Sequence, residues 1–200
     1  MIKQFKKQFR VPNGLLGVVA GKIMAWENKK LNAWSVSCLG IDKHDHLLEV
    51  GFGAGACMET VLKRNTTVTI DGLDISETMK NQAESALEPY VEKNRVHLMV
   101  GDVSKVQLTQ DGYDKILSVN NFTIWTEPQK GVASLYQALK PGGKIAITMQ
   151  PREEDASPNK TRMFAKKIHD DLVTCHFRDV KITYKKIRPE LAVCVTAYKR

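Results

Sequence analysis

Residues 47–56 read LLEVGFGAGA, a short apolar run that closes on Glu49 and then breaks into three alternating glycines, Gly51, Gly53 and Gly55, with Phe52 between the first two. Such a turn lets the main chain pass close to a ligand, and the helix that follows it offers free amide groups. The spacing narrows the guest. Dinucleotide sites require G-x-G-x-x-G, and this turn is one residue shorter. Glu49, two residues before the first glycine, would also set a carboxylate against a pyrophosphate. A ligand carrying a positive group, such as an ammonium or a sulfonium, suits that acid better.

Downstream the chain alternates. Apolar runs predict strands over 46–51, 68–75, 95–102, 113–120 and 143–150, and helical composition occupies 55–64, 76–93 and 127–140, with a shorter turn near 103–111. Strands alternating with crossover helices predict an α/β fold, a doubly wound and mostly parallel sheet. After the polar stretch PREEDASPNK a helix is predicted over 160–174, and the runs RDVKITYKKI and ELAVCVTAYK predict a closing antiparallel pair. Leu139, Pro141, Gly142 and Gly143 are read as a helix stop turning into a hairpin. In a doubly wound sheet ligands bind at the carboxyl ends of the strands, where the glycine turn falls. Asp74 ends the second strand, placed to accept from ribose hydroxyls, and Asp102 ends the third, placed to take an adenine amine. Glu49, the glycines, Asp74 and Asp102 together describe an adenosine bearing a cationic amino acid tail.

The 200 residues and 42% hydrophobic content suit one domain with helices on both faces of a sheet. The four cysteines, Cys38, Cys57, Cys175 and Cys194, form no CxxC pair and read as reduced thiols, and the five histidines have no metal-ligand spacing, so no metal site is expected. No apolar stretch approaches the ~20 residues of a membrane helix. Net charge is +8, unevenly spread: residues 1–30 hold seven Lys or Arg against Glu27, residues 160–200 hold eleven against four acids, and the middle is net acidic. Basic ends point to an anionic partner or to a solvated surface. Residues 14–34 are predicted helical, with Leu16, Val19, Ile23 and Trp26 on one face, forming an N-terminal cap. No small-residue cleavage site stands out after the basic start, so the expected compartment is the cytoplasm.

The combination E-x-G-x-G-x-G, an acid ending strand two, G-D after strand three and LKPGGKIAI before strand five resembles the class I S-adenosylmethionine-dependent methyltransferases, over roughly residues 40–200. The resemblance implies a Rossmann-like seven-stranded sheet with a cap over 1–40 and the methyltransferase domain over 41–200. It also implies S-adenosyl-L-methionine as cofactor. Carried over, Glu49, Gly51, Phe52, Gly53 and Gly55 cradle its methionine part, Asp74 binds the ribose, Ile75 and Met79 pack near the adenine, Asp102 and Val103 hold the amine edge, and Asn120 lies beside the sulfonium. NNFTIWTEP replaces the N/D-P-P-Y/F of enzymes that methylate base amines, which counts against that chemistry. It is similar to the N-x-x-x-F-W of bacterial stand-alone enzymes acting on small molecules, and places Asn121 and Trp125 as substrate-lining residues, with Trp125 pinning the loop to the core as the alternative. His169 and His176 are candidates for a general base. The expected acceptor is a small anionic or aromatic metabolite; structured RNA, reached through the basic ends, and cofactor binding without turnover are the alternatives.

Overall fold

The computed structural model describes residues 29–152 and 155–200. Most of the predicted 14–34 helix, with Leu16, Val19, Ile23 and Trp26, lies outside the described residues. Helix α1 covers residues 29–39, followed by β1 (His46–Val50), α2 (Ala56–Arg64), β2 (Thr69–Asp74), α3 (Glu77–Val91), β3 (Val96–Val100), β4 (Tyr113–Val119), α4 (Pro128–Ala138), β5 (Leu139–Met149), α5 (Pro158–Thr174), β6 (Arg178–Lys186) and β7 (Leu191–Tyr198).

The seven strands form one sheet in the order β3-β2-β1-β4-β5-β7-β6. β1 pairs in parallel with both β2 and β4, β2 with β3 and β4 with β5, whereas β7 runs antiparallel to β5 and β6. The chain therefore reverses its direction of travel across the sheet between β1 and β4, the crevice where doubly wound folds take their ligands. Met149 pairs with Val193, and Lys186 with Leu191. This register brings the turn between β6 and β7 to the same carboxyl edge as the glycine turn.

Apolar layers cover both faces of the sheet. One joins Leu48, Ile116, Ile145 and Val195 to Leu135 of α4 and Ile168 of α5. The other joins Leu47, Ile70, Leu117 and Cys194 to Leu31 and Leu39 of α1 and to Met58 and Leu62 of α2. Each such aliphatic side chain contributes about 1.5–3 kcal/mol through burial. Ser76 and Ser157 cap α3 and α5, accepting from the amides of Met79 and Lys160.

One local expectation is corrected. Helix α4 does stop here, ending at Ala138 with Leu139 as its C-cap, but the LKPGGK segment belongs to β5 instead of turning into a hairpin. Tyr113 pairs with Leu139 but Lys115 pairs with Lys144, so the extra residues form a bulge. Gly142, at φ +79°, turns its amide to the Lys199 carbonyl. Pairing with the end of β7 supplies the hydrogen bonds that a hairpin would otherwise have provided.

Candidate active site

The glycine turn joins β1 to α2 and is held from three sides. The Gly51 amide donates to the Leu73 carbonyl at 2.7 Å, the Gly53 amide to Asp74 Oδ2 at 2.9 Å, and the Gly55 amide to the Phe52 carbonyl at 3.0 Å. All three glycines have positive φ, but their surroundings differ. A Cβ on Gly51 would fall 1.4 Å from Asn121 Nδ2, and one on Gly55 would meet Leu87 Cδ1 at 2.9 Å. A Cβ on Gly53 would meet nothing within 4 Å. Gly51 and Gly55 are thus required by packing, while Gly53 faces the open crevice. The Phe52 ring is buried against Gly72 of β2, so what Phe52 offers the crevice is main chain.

Glu49 is buried beneath this turn. Burial pushes its carboxyl up to about 8, opposed by the Cys57 thiol that hydrogen-bonds to it and reinforced by the negative charge of Asp74. No cation among the described residues faces it. Asp74, also raised by burial, is partly compensated by backbone amides of Gly53, Ser76 and Ile75. Beside it Ile75 is 47% exposed, an unusual setting for an isoleucine at a strand end, whereas Met79 is buried below. Asp102 takes hydrogen bonds from Thr126 Oγ1 and, at 2.8 Å, from the Ser104 amide; the Thr126 bond leads in holding it below the usual carboxylate range. Val103 is buried next to Gly131 and Trp125.

The end of β4 carries two asparagines with separate tasks. Asn120 adopts φ +56°, and its Oδ1 accepts from the Gln150 amide at 2.8 Å, joining the carboxyl ends of β4 and β5. Asn121 is buried: its Nδ2 donates to the Val50 carbonyl, and its Oδ1 accepts from Ser118 Oγ at 2.7 Å and Trp125 Nε1 at 2.8 Å. Trp125 is itself buried against Phe122 and Val103. These two residues strap the glycine turn to the loop after β4; the pinning role is an alternative reading of the sequence for Trp125, whereas the bonds of Asn121 are not legible there.

Beyond Asn120 lies a second feature that the sequence did not disclose. Gln150 Nε2 donates to the carbonyls of Ile187 and Glu190 at 2.6 and 2.7 Å. The turn it holds, with Pro158 and Arg162 of α5, surrounds a cleft of about 460 Å³ lined also by Lys186, Arg188 and Leu191. Glu190, the one acidic lining residue among the described residues, directs Oε1 to the Leu191 amide at 2.6 Å. The histidines lie elsewhere: His176 follows α5 at the amino edge, and His169 stands eleven residues, roughly 16 Å, along α5 from its start. Neither reaches the crevice. Among the described residues there is no group of three potential metal ligands, and no helix is long and apolar enough to cross a membrane.

The donor set fits S-adenosylmethionine: a buried carboxylate with no cation among the described residues, an open glycine, and acids at the end of β2 and just after β3. Comparison with known proteins agrees. Residues 47–143 match the family described as a methyltransferase domain. The chain is 48% identical over 182 residues to YdaC of Bacillus subtilis (strain 168), an uncharacterized methyltransferase, covering 91% of this chain and 98% of that one. Among solved structures, a SAM-dependent methyltransferase from Aquifex aeolicus superposes with a TM-score of 0.68 at 21% identity, covering 83% of this chain and 88% of that one. A phosphoethanolamine N-methyltransferase 2 of Haemonchus contortus, bound to phosphomonomethylethanolamine and S-adenosylhomocysteine, does so with a TM-score of 0.71 at 16% identity, covering 88% and 56%. The short glycine turn, the acids at the strand ends and the near full-length relative converge on one conclusion: this chain belongs to the class I S-adenosylmethionine-dependent methyltransferases.

Proposed function

We propose that this methyltransferase acts in the cytoplasm on a small anionic metabolite, with residues 1–40 as a cap on the domain formed by 41–200. The observation that carries the reading is the cationic cleft. Arg162, Lys186 and Arg188 surround a space of about 460 Å³, in the range of small-ligand sites. Gln150 connects that space to Asn120 at the end of β4. A carboxylate or phosphate on the acceptor would be drawn there.

The cofactor supplies a methyl group already activated on a sulfonium. What this chain contributes is position. In this reading Glu49 faces the cofactor's ammonium, the main chain at Phe52 and Gly53 lies along its amino acid part, Asp74 accepts from the ribose hydroxyls, and Ile75 and Met79 border the adenine. Asp102 and Val103 hold the amine edge and Asn120 borders the sulfonium. Asn121 and Trp125 act through the turn they brace. Holding an acceptor in line and excluding water can supply roughly 7–11 kcal/mol of the barrier.

The test is transfer of labelled methyl from S-adenosylmethionine into an extract of the source cells, fractionated by size, with Asp74→Ala as control. Label in the low-mass fraction that the control loses supports the reading. With the acceptor in hand, Arg162→Ala together with Arg188→Ala should raise its KM at least tenfold while leaving S-adenosylhomocysteine affinity unchanged; an unchanged KM would remove the cleft from the acceptor site. Structured RNA is the second reading, favoured by the exposed basic edge strand β6, which carries Arg178, Lys181, Lys185 and Lys186. It requires label in the RNA fraction and binding that falls steeply with salt.

A further inference from the structure

Three tethers join the loop after β3 to the loop after β4. Asp102 in the first loop accepts at Oδ1 from the Ser104 amide at 2.8 Å, and at Oδ2 from Thr126 Oγ1 in the second. Ser104 Oγ donates to the Glu127 carbonyl at 3.0 Å and accepts from the Glu127 amide at 3.4 Å. Val103 and Trp125 meet over Gly131 of α4, where a Cβ would fall 3.1 Å from Val103 Cγ1 and 2.9 Å from Trp125 Cε3. Thr126 is held in turn by its neighbour Trp125, whose Nε1 donates to the buried Asn121. The Asp102 main chain is tied down as well, its carbonyl accepting from the amides of Lys105 and Val106, both at 2.9 Å. Asp74 and Asp102 therefore differ. Burial raises Asp74, whereas the Thr126 bond leads in holding Asp102 below the ordinary carboxylate range. An ionised carboxylate offers acceptors only, about four lone-pair sites. The Thr126 hydroxyl and the Ser104 amide take two of them, and the side chain keeps 12% of its surface open, so a further donor can still reach it.

Resting on the reading that Asp102 faces the cofactor's amine, we propose that Thr126 is a positioning residue: its hydroxyl locks the Asp102 carboxylate in one orientation and so makes the site specific for adenine against hypoxanthine. The two bases reverse the pattern along this edge. Adenine presents the N6 amine as donor beside N1 as acceptor, and hypoxanthine presents O6 as acceptor beside N1–H as donor. A carboxylate free to swing follows the donor from one position to the other. A tethered one meets O6 of hypoxanthine with a second acceptor and leaves N1–H unpaired, the kind of mismatch that a site built for a donor rejects strongly.

The experiment measures, by calorimetry on the full chain, the affinity for S-adenosylhomocysteine and for S-inosylhomocysteine, which carries a carbonyl oxygen in place of the adenine amine. The wild type should prefer the adenine compound by about a hundredfold or more. Thr126→Val keeps the shape and loses the hydroxyl; the preference should fall at least fivefold, through tighter binding of the inosine compound. Thr126→Ser retains a hydroxyl and should keep the wild-type ratio. A general loosening of the two loops would weaken both ligands together and leave the ratio where it was. Asp102→Asn offers a donor as well as an acceptor and should lose the preference. A ratio that survives in Asp102→Asn would show that Asp102 does not face the amine, and the proposal would fall with that reading. Loss of the ratio in Asp102→Asn with an unchanged ratio in Thr126→Val would overturn the proposal alone, as would a fall in Thr126→Ser equal to that in Thr126→Val.

Discussion

Glu49 keeps a carboxyl group where water cannot solvate its charge, and two consequences follow from that single residue. With its group raised to about 8, the native state holds a proton that an unfolded chain releases near pH 4.3. Stability from this group is therefore complete at low pH and is lost as pH rises through about 8, a loss on the order of a few kcal/mol. Glu49→Gln should remove that loss, so that the variant has a higher urea midpoint than the wild type at pH 8.5 and a similar one at pH 5. The same substitution should weaken S-adenosylhomocysteine binding at least tenfold. In the wild type, that affinity should climb with pH and level off above about 8, because a cation placed against Glu49 favours its charged form. Calorimetry at pH 7 in buffers of different ionisation enthalpy should show proton release on binding. A proton count of zero would mean that Glu49 does not receive the ligand's positive charge.

At the scale of elements, the turn between β1 and α2 and the loop after β4 are one mechanical unit. Asn121 bonds to Val50, Ser118 and Trp125, and its amide occupies the space above Gly51. Asn121→Ala leaves the Val50 carbonyl and the Trp125 N–H without that partner, each worth about 1–3 kcal/mol when buried. Gly51→Ala drives a methyl group into the same amide and adds strain at φ +76°. The two effects share an atom, so they should not add: in urea unfolding, Gly51→Ala should cost less in the Asn121→Ala background than in the wild type. Strict additivity would show that the turn relaxes independently of the strap. Trp125→Phe keeps an aromatic ring but loses the indole donor and part of the packed volume, and should cost about 1–3 kcal/mol.

Across the whole molecule, the two edges of the sheet have different electrostatic characters. The carboxyl edge holds carboxyl groups raised by burial beside a cationic cleft. At the amino edge His46 Nε2 lies 3.3 Å from Asp71 Oδ1, and Tyr113 Oη donates to Asp71 Oδ2 at 2.9 Å. The Asp71 hydrogen bond raises His46. Burial alone would raise Asp71, but the hydrogen bonds from His46 and Tyr113 outweigh it and hold Asp71 below its ordinary value. The histidine's contribution to stability is present below its unfolded value near 6.5 and is lost as pH rises through its folded value; the aspartate's is present above about 3.9 and lost as pH falls through its folded value. The cluster therefore stabilises most between about pH 4 and 6.5. Asp71→Asn should return the His46 titration measured by NMR toward 6.5 and shrink the stability difference between pH 5.5 and pH 8. A His46 titration that does not move would refute the pairing.

The glycine turn with Glu49, the alternation of strands and helices, the closing antiparallel pair and the acids at the ends of β2 and β3 were all determined by the sequence alone. Each is encoded within a few residues, by side-chain periods of two or about 3.6 and by the conformations that glycine permits. The bulge at Lys140–Gly143 escaped such reading because its hydrogen bonds go to Lys199, far along the chain. The Asn121 strap, the cleft between the start of α5 and the β6–β7 turn and the His46–Asp71–Tyr113 cluster were decided only by tertiary structure. All of them join residues from different elements. Their meeting depends on strand order and on the register of pairing, which no local pattern carries.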